Sequence, residues 1–232
     1  IDLKAASIWT KMKAIYPIVG GTATAHKFNL KNPLDTNAAF RLVFSGGWTH
    51  SANGMLPNGT NTYAETYLIP TTSLTLYNTH LSYYCRTNLF EVSRIEMGSY
   101  SGTGNNIFAL SFGRVTNTAL SIQYDQATAT NYAISTAASN SQGFWMGNRT
   151  SNVGSTHKLW RNGISIASAT TTGGSMLSNT IWIGAINNSG TPLYYTTKEC
   201  AFASIGEGLT DAEALAYYNA VQTYQTTLGR QV

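Results

Sequence analysis

Along most of the chain, apolar and polar residues alternate with a period of two, in runs of five to eight residues separated by turn residues. This is the pattern of half-buried antiparallel strands. IFALSF (Ile107–Phe112) sets Phe108, Leu110 and Phe112 on one face, and LSIQY (Leu120–Tyr124) sets Leu120, Ile122 and Tyr124 against Ser121 and Gln123. FRLVF (Phe40–Phe44), YAETYLI, LSYYCRT, GFWMGNR, KLWRNGISIA, TIWIGAI and CAFASIG are runs of the same kind. Such a succession of short strands predicts an all-β sandwich or jelly roll.

Two stretches depart from that period. Leu3, Ile8, Met12 and Ile15 stand near helical spacing ahead of Pro17 and Gly20-Gly21, which predicts a helix over residues 3–15. Near the other end, Thr210 stands three residues before Glu213 in a capping box, so a helix is expected to start at Asp211, with Leu215, Tyr218, Val221 and Gln222 as its inward stripe and Gly229 just past its end. Between them, Asn162-Gly163 tolerates the positive φ that a two-residue type I′ turn demands. The predicted hairpin pairs Arg161 with Ile164, Trp160 with Ser165 and Leu159 with Ile166, placing Leu159, Ile164 and Ile166 on one face. The expected organisation is a single domain over residues 1–232: an N-terminal helix and linker (1–20), a sandwich (38–208) and a C-terminal helix (210–228).

Composition narrows the function classes. Of 232 residues 43% are hydrophobic, enough for one sizeable core, but only 10% are charged, and Ser, Thr, Asn, Gly and Tyr supply the polarity. That balance suits a virion or extracellular β-protein. The net charge of +4 comes from 14 basic residues scattered from Lys4 to Arg230, without the cluster that nucleic-acid phosphates require. No apolar run approaches the roughly 20 residues of a membrane-spanning helix. Cys85 and Cys200 lack Cys or His partners at metal-ligand spacing; they read as buried free thiols or as one bridge between strands. The first residue is Ile1 rather than Met, which reads as a processed product or a fragment of a longer chain.

Three stretches, in order, resemble the laminin-G-like branch of the concanavalin A-like lectin/glucanase superfamily. GMLPNGTNTYAETYL (Gly54–Leu68), followed by LSYYCRTN, is similar to its opening strands; HKLWRNGISIA is similar to its aromatic hairpin; and IWIGAI through FASIGEGLTDAEALAYY is similar to its closing strands and acidic-capped helix. The resemblance covers most of residues 40–225 and implies a concanavalin A-like jelly-roll sandwich of two antiparallel sheets, with a short N-terminal helix and a C-terminal helix. The last strand reads Ala203-Ser204-Ile205-Gly206 where the family usually carries an acidic residue, so no calcium site is carried over. VQTYQTTLGRQV (Val221–Val232) also resembles endings of bacteriophage tail, fibre or head-decoration proteins.

The glucanases of that superfamily use two carboxylates two residues apart on one strand, so that both project into one cleft with split pKa values. No such pair exists here: Glu91 and Glu96 have opposite parity, and Asp211 and Glu213 belong to the helix cap. A hydrolase would need carboxylates from separate strands, such as Glu65 and Glu96. His26, His50, His80 and His157 are dispersed, and no Ser lies in a nucleophile elbow. No enzyme activity, cofactor or metal is therefore expected. The aromatics are the better candidates. Trp160, Trp182 and Trp145, flanked by Asn148, Arg149 and Ser165, would form a sugar-stacking platform if they shared one sheet face, although Trp in a sandwich strand is more often core. Arg94, Arg114 and Glu96 within strands suit either a wet face or ion pairs in a symmetric oligomer. The expected role is a non-enzymatic structural domain of a phage appendage or decoration that contacts a cell-surface glycan. Its expected partners are copies of itself, up to a trimer, and other virion proteins, with no nucleic acid and no membrane span. The N-terminal helix, with Lys4, Lys11 and Lys13 beside its apolar stripe, would suit docking on a neighbouring chain and equally packing on its own sandwich. The alternatives are a secreted carbohydrate-binding module and a polysaccharide hydrolase of the same fold.

Overall fold

The computed structural model describes residues 3–102, 106–115, 117–126, 134–170 and 174–232; the side chains of Arg114 and Tyr124 lie outside the described residues. Two sheets face each other, and a helix lies on the outer side of one. The first sheet runs, in spatial order, Ile164–Ala169, His157–Arg161, Gly143–Arg149, Thr79–Cys85, Cys200–Gly206, Gly54–Leu56 and Thr49–Ser51. The second runs Ile134–Ala137, Thr118–Gln126, Asn106–Val115, Met97–Tyr100, Trp182–Ile183, Tyr63–Glu65 and Val43–Ser45. Pairing is antiparallel except where Ile186–Asn188, half of a hairpin with Thr191–Leu193, runs parallel to Met97–Tyr100.

Alternation sorts the side chains into two cores. Tyr83, Trp145, Phe108, Leu110, Phe112, Ile183 and Ile205 point between the sheets, as the period of IFALSF predicts. Their neighbours Tyr84, Phe144, Met146, Trp160 and Phe202 point outward from the first sheet and are covered by Ala214, Tyr217 and Val221 of the helix. The central strands are thus buried on both faces, so all seven residues of Gly143–Arg149 and of Thr79–Cys85 are buried. LSIQY is inverted relative to the simple reading: its polar members Ser121 and Gln123 face the interior, where Ser121 Oγ lies 3.1 Å from His157 Nε2 and Gln123 Oε1 accepts from the Thr79 hydroxyl at 2.6 Å. Leu120 and Ile122 form a small cluster with Ile107 on the other side.

The helix predicted over residues 3–15 does not form. A single 3₁₀ turn at Trp9–Lys11 leads into a strand, Met12–Tyr16, that pairs antiparallel with Cys200–Gly206. A bulge between Met12 and Ala14 accounts for the misleading spacing. The extra residue brings Met12 and Ile15, three apart, to the helix-covered face while Ala14 and Tyr16 enter the inter-sheet core. The run FRLVF is extended only from Val43, because Phe40 sits in the left-handed region at φ 57°.

The hairpin turns at Asn162-Gly163 (φ 48° and 78°) as predicted, with Arg161 opposite Ile164 and Trp160 opposite Ser165. A second bulge then shifts Leu159 opposite Ala167 instead of Ile166, and Ile164 at the tip is 67% exposed rather than core. The C-terminal helix spans Asp211–Thr227 with both halves of the Thr210–Glu213 capping box made, and Gly229 past its end has φ 65°. Its buried stripe is Ala214, Tyr217, Val221 and Gln225, which keeps Val221 of the expected stripe but takes Ala214 and Tyr217 in place of Leu215 and Tyr218. The reason is polar: Tyr217 OH reaches a seam of hydroxyls on the sheet, 3.4 Å from Ser82 Oγ, while Gln225 Nε2 donates to Ala201 O at 3.2 Å. Cys85 and Cys200 stand opposite each other across neighbouring strands, both buried and free.

Candidate functional site

The six residues of the expected platform do not converge. Trp145 lies between the sheets, stacked on Phe112 at 4.7 Å, with its indole N–H donating to Ser141 O at 2.8 Å. Trp160 lies on the other face of the same sheet, beneath the helix layer, and its indole nitrogen is buried without a hydrogen-bond partner among the described residues. Trp182 belongs to the other sheet, where Ile183 takes the core side and Trp182 turns outward to stack on Tyr63 at 4.1 Å. Parity also separates the flanking residues. Asn148 shares the helix side with Phe144 and Met146, and its amide grips Leu209, donating to the carbonyl and accepting from the N–H at 2.8 Å each. Arg149, one residue on, shares the inter-sheet side with Trp145, donates to Gln123 O at 3.0 Å and Ser151 O at 3.1 Å, and lies over the Tyr77 ring. Ser165 is exposed on the hairpin.

The groups considered for hydrolysis are likewise committed. Glu96 is fully buried: its carboxylate accepts from Phe112 N at 2.6 Å and the Thr196 hydroxyl at 2.9 Å, and lies 3.2 Å from the equally buried Lys198 ammonium. Glu65 is half-buried and accepts from Thr180 at 3.0 Å. Arg94, considered for an interface, bonds within the chain to Gly59 O, Tyr195 O and Glu91. Lys11 and Lys13 pair with Glu213 and Glu207. His80 Nε2 lies 2.9 Å from Ser204 Oγ, a serine–histidine contact, but both are buried beneath the helix. The His80 Nδ1–H donates to Glu207 O at 2.6 Å, and Ser204 continues to Ser82 at 2.7 Å, so the row docks the helix on the sheet. Among the described residues no three His, Cys, Asp or Glu side chains gather to hold a metal.

What the structure opens to solvent is a different set. The phase of the helix that buries Tyr217 turns Tyr218 and Gln222 toward the surface. With Asn219, Thr223, Thr226 and Thr227 they line a groove of about 460 Å³. None of the six is charged. Tyr84 OH donates to Gln222 Oε1 at 3.1 Å, which leaves the Gln222 NH₂ as a donor. The hydroxyls of Thr226 and Thr227 donate to Gln222 O and Thr223 O at 2.9 Å each, so their oxygens face outward as acceptors. A half-buried aromatic ring beside amide donors and hydroxyl acceptors matches the two sides of a sugar, apolar C–H faces and hydroxyl edges. Sequence reading missed Tyr218 because it placed that residue in the core. The groove borders the hairpin that carries Trp160 and Ser165: a Cβ on Gly163 would lie 2.6 Å from the Tyr218 ring.

No family model and no curated protein matches the chain. Solved structures do. Domain 4 of AbnA, a GH43 extracellular arabinanase from Geobacillus stearothermophilus, in complex with arabinotriose, superposes with a TM-score of 0.62 over 89% of this chain and 97% of that one at 11% identity. The fold is a jelly-roll sandwich. A botulinum neurotoxin type C structure, reported with cell entry dependent on two ganglioside molecules, matches at TM-score 0.60 and 12% identity over 94% of this chain and 53% of that one. The binding domain of botulinum neurotoxin DC in complex with rat synaptotagmin II matches at 0.59 and 11% over 93% and 52%. The chain thus spans about half the length of the neurotoxin structures and nearly all of the arabinanase domain. At these identities the likeness concerns the fold.

Proposed function

We propose that the chain is a non-enzymatic glycan-binding domain of a virion or other extracellular appendage, and that it holds neutral sugar in the groove along its C-terminal helix. The observation that carries the reading is the composition of that groove: one phenol ring, two amides and three threonine hydroxyls with no charge among them. Support comes from the jelly-roll neighbours, one seen with arabinotriose and one tied to gangliosides. Further support comes from Glu96, which would have to leave a dry ion pair with Lys198 to act on a substrate. The proposed partners are a cell-surface glycan, copies of this chain and neighbouring appendage proteins.

The test is binding to a panel of bacterial surface polysaccharides and arabino-oligosaccharides with two variants. Tyr218→Ala is expected to abolish saturable binding while the protein still melts within about 1 kcal/mol of the parent, as truncations of half-exposed residues usually do. Trp160→Ala, beneath the helix, is expected to cost about 3–5 kcal/mol of stability through the cavity it leaves. Binding that survives Tyr218→Ala would place the sugar elsewhere. Oligomeric state decides between an appendage subunit, expected as a trimer or larger ring, and a free monomeric carbohydrate-binding module.

A further inference from the structure

A second concavity, of about 310 Å³, lies between the short helix Ala23–His26 and the edge strand Val43–Ser45 of the second sheet. Its chemistry differs from that of the helix groove. Lys27 and Arg41 line it, together with the Thr24 hydroxyl and the apolar surface of Val43 and Phe44, and no carboxylate is among its lining residues. Both cations are instead held from outside the concavity by one carboxylate. Asp35 accepts from Lys27 Nζ at 2.5 Å and from Arg41 Nη1 at 2.7 Å, and Arg41 Nε donates to Asn37 Oδ1 at 3.0 Å.

The donor arithmetic leaves capacity over. A guanidinium carries five N–H groups and an ammonium three, whereas the described partners use two of the first and one of the second. Two positive charges face one negative charge, so the cluster keeps a surplus of one. Asp35 also fixes the orientation of both cations, a positioning role that removes part of the ordering cost of binding a second anion. Beside the two cations the concavity also presents apolar surface, which a bare inorganic ion would leave unused. It suits a ring whose one face is C–H and whose edge carries an anionic group.

We infer that this concavity is a second subsite that takes a carboxylate-bearing sugar, its carboxylate on the free N–H groups of Lys27 and Arg41 and its ring on the apolar surface beside them. This deepens the reading of the chain as a glycan-binding domain and rests on it. The ligand as a whole would then be a mixed polysaccharide, neutral along the helix groove and acidic at this edge of the sandwich.

Calorimetric titration of the full chain with tri-galacturonate, with its methyl-esterified counterpart and with sodium sulfate tests the inference. The expected result is saturable binding of tri-galacturonate, weakened at least about tenfold in Arg41→Gln or Lys27→Gln and by raised salt, as loss of a charge-assisted contact implies. The same binding is expected to be unchanged in Tyr218→Ala. Equal binding of the methyl ester, insensitivity to Arg41→Gln, or competition by sulfate at the same affinity would overturn the inference. If neutral polysaccharides bind and tri-galacturonate does not, the acidic subsite is wrong and the neutral groove stands; if no polysaccharide of either kind binds, both readings fail.

Discussion

Three histidines, His26, His50 and His80, resist protonation in the folded chain. His26 is buried, its Nε2 accepts from Gly21 N–H at 3.2 Å, and its Nδ1 lies 2.9 Å from His50 Nδ1. With Nε2 accepting, the proton sits on His26 Nδ1 and His50 must be the acceptor, so a second proton on either ring breaks a bond. Burial, then the neighbouring His50 and Arg230, bring the His26 pKa down to about 4; burial alone lowers His50; and burial also brings His80 down to about 4 against the raising effect of Glu207 O. The sign follows from which state holds more protons. The unfolded chain protonates these rings near 6.5, whereas in the folded chain His26 and His80 refuse until about 4 and His50 is shifted in the same direction. Their contribution is therefore complete above pH 6.5, shrinks as pH falls through the interval, and is gone below about 4. Thermal melts are expected to show a level Tm from pH 7.5 to about 6.5 and a falling Tm between about 6.5 and 4, with a shallower slope there in His80→Gln, which titrates one group fewer. A Tm flat over that range would show that the folded rings are freely protonated.

At the scale of single elements, the hairpin and the C-terminal helix show where period and turn chemistry suffice and where they fail. The Asn162-Gly163 turn was readable because positive φ at both positions is a backbone demand that few residue pairs meet. The Thr210–Glu213 cap was readable because it satisfies specific orphan N–H groups. Gly163 is further constrained by packing, since any Cβ there meets the rings and methyls of Tyr218 and Leu215 at 2.6 and 3.1 Å. Gly163→Val is accordingly expected to cost a few kcal/mol, about 2–4, from strained φ plus displaced helix contacts, with Gly163→Asn, which tolerates the φ but keeps the Cβ, recovering only part of the loss in urea titrations; full recovery would mean that φ alone sets the cost. The failures have physical causes too. Ala214-Leu215-Ala216-Tyr217-Tyr218 offers two overlapping stripes, and only the hydroxyl seam on the sheet, invisible in the sequence, selects Tyr217. In Met12–Tyr16 a bulge reproduces helical spacing within a strand. The Trp platform failed because a strand covered on both faces buries either parity, so Trp145 and Trp160 are both core. The groove was hidden behind the same phase error that placed Tyr218 inside.

At the scale of the molecule, the layers are tied together by one buried cation rather than by burial of apolar surface alone. Arg230 is 1% exposed, and its guanidinium donates to Ile18 O at 2.6 Å, Pro17 O at 2.9 Å, Ala201 O at 2.8 Å and the Gln225 side chain at 2.6 Å. These partners belong to the segment after the first strand, to the strand Cys200–Gly206 of the first sheet and to the last turns of the helix. Arg86, ion-paired to Glu199 at 2.9 Å, in turn donates to the Arg230 carbonyl. Such an arrangement depends on the planar fork, which delivers separate N–H groups in fixed directions to acceptors on different elements; an ammonium is a point charge and reaches fewer of them. Arg230→Leu would take the donor from Ile18 O and the Gln225 side-chain oxygen, at about 1–3 kcal/mol each before relaxation, while Pro17 O and Ala201 O keep Tyr224 OH and Gln225 Nε2. The expected loss is at least about 3 kcal/mol, and Arg230→Lys is expected to restore less than half of it. Because the clasp joins the helix to residues 17 and 18, its loss should show as proteolytic cleavage of the 17–30 segment at denaturant concentrations where the inter-sheet tryptophan Trp145 still reports a folded core. Cleavage coincident with global unfolding, or a lysine variant as stable as the parent, would mean that the apolar layers alone hold the helix and that the guanidinium merely fills space.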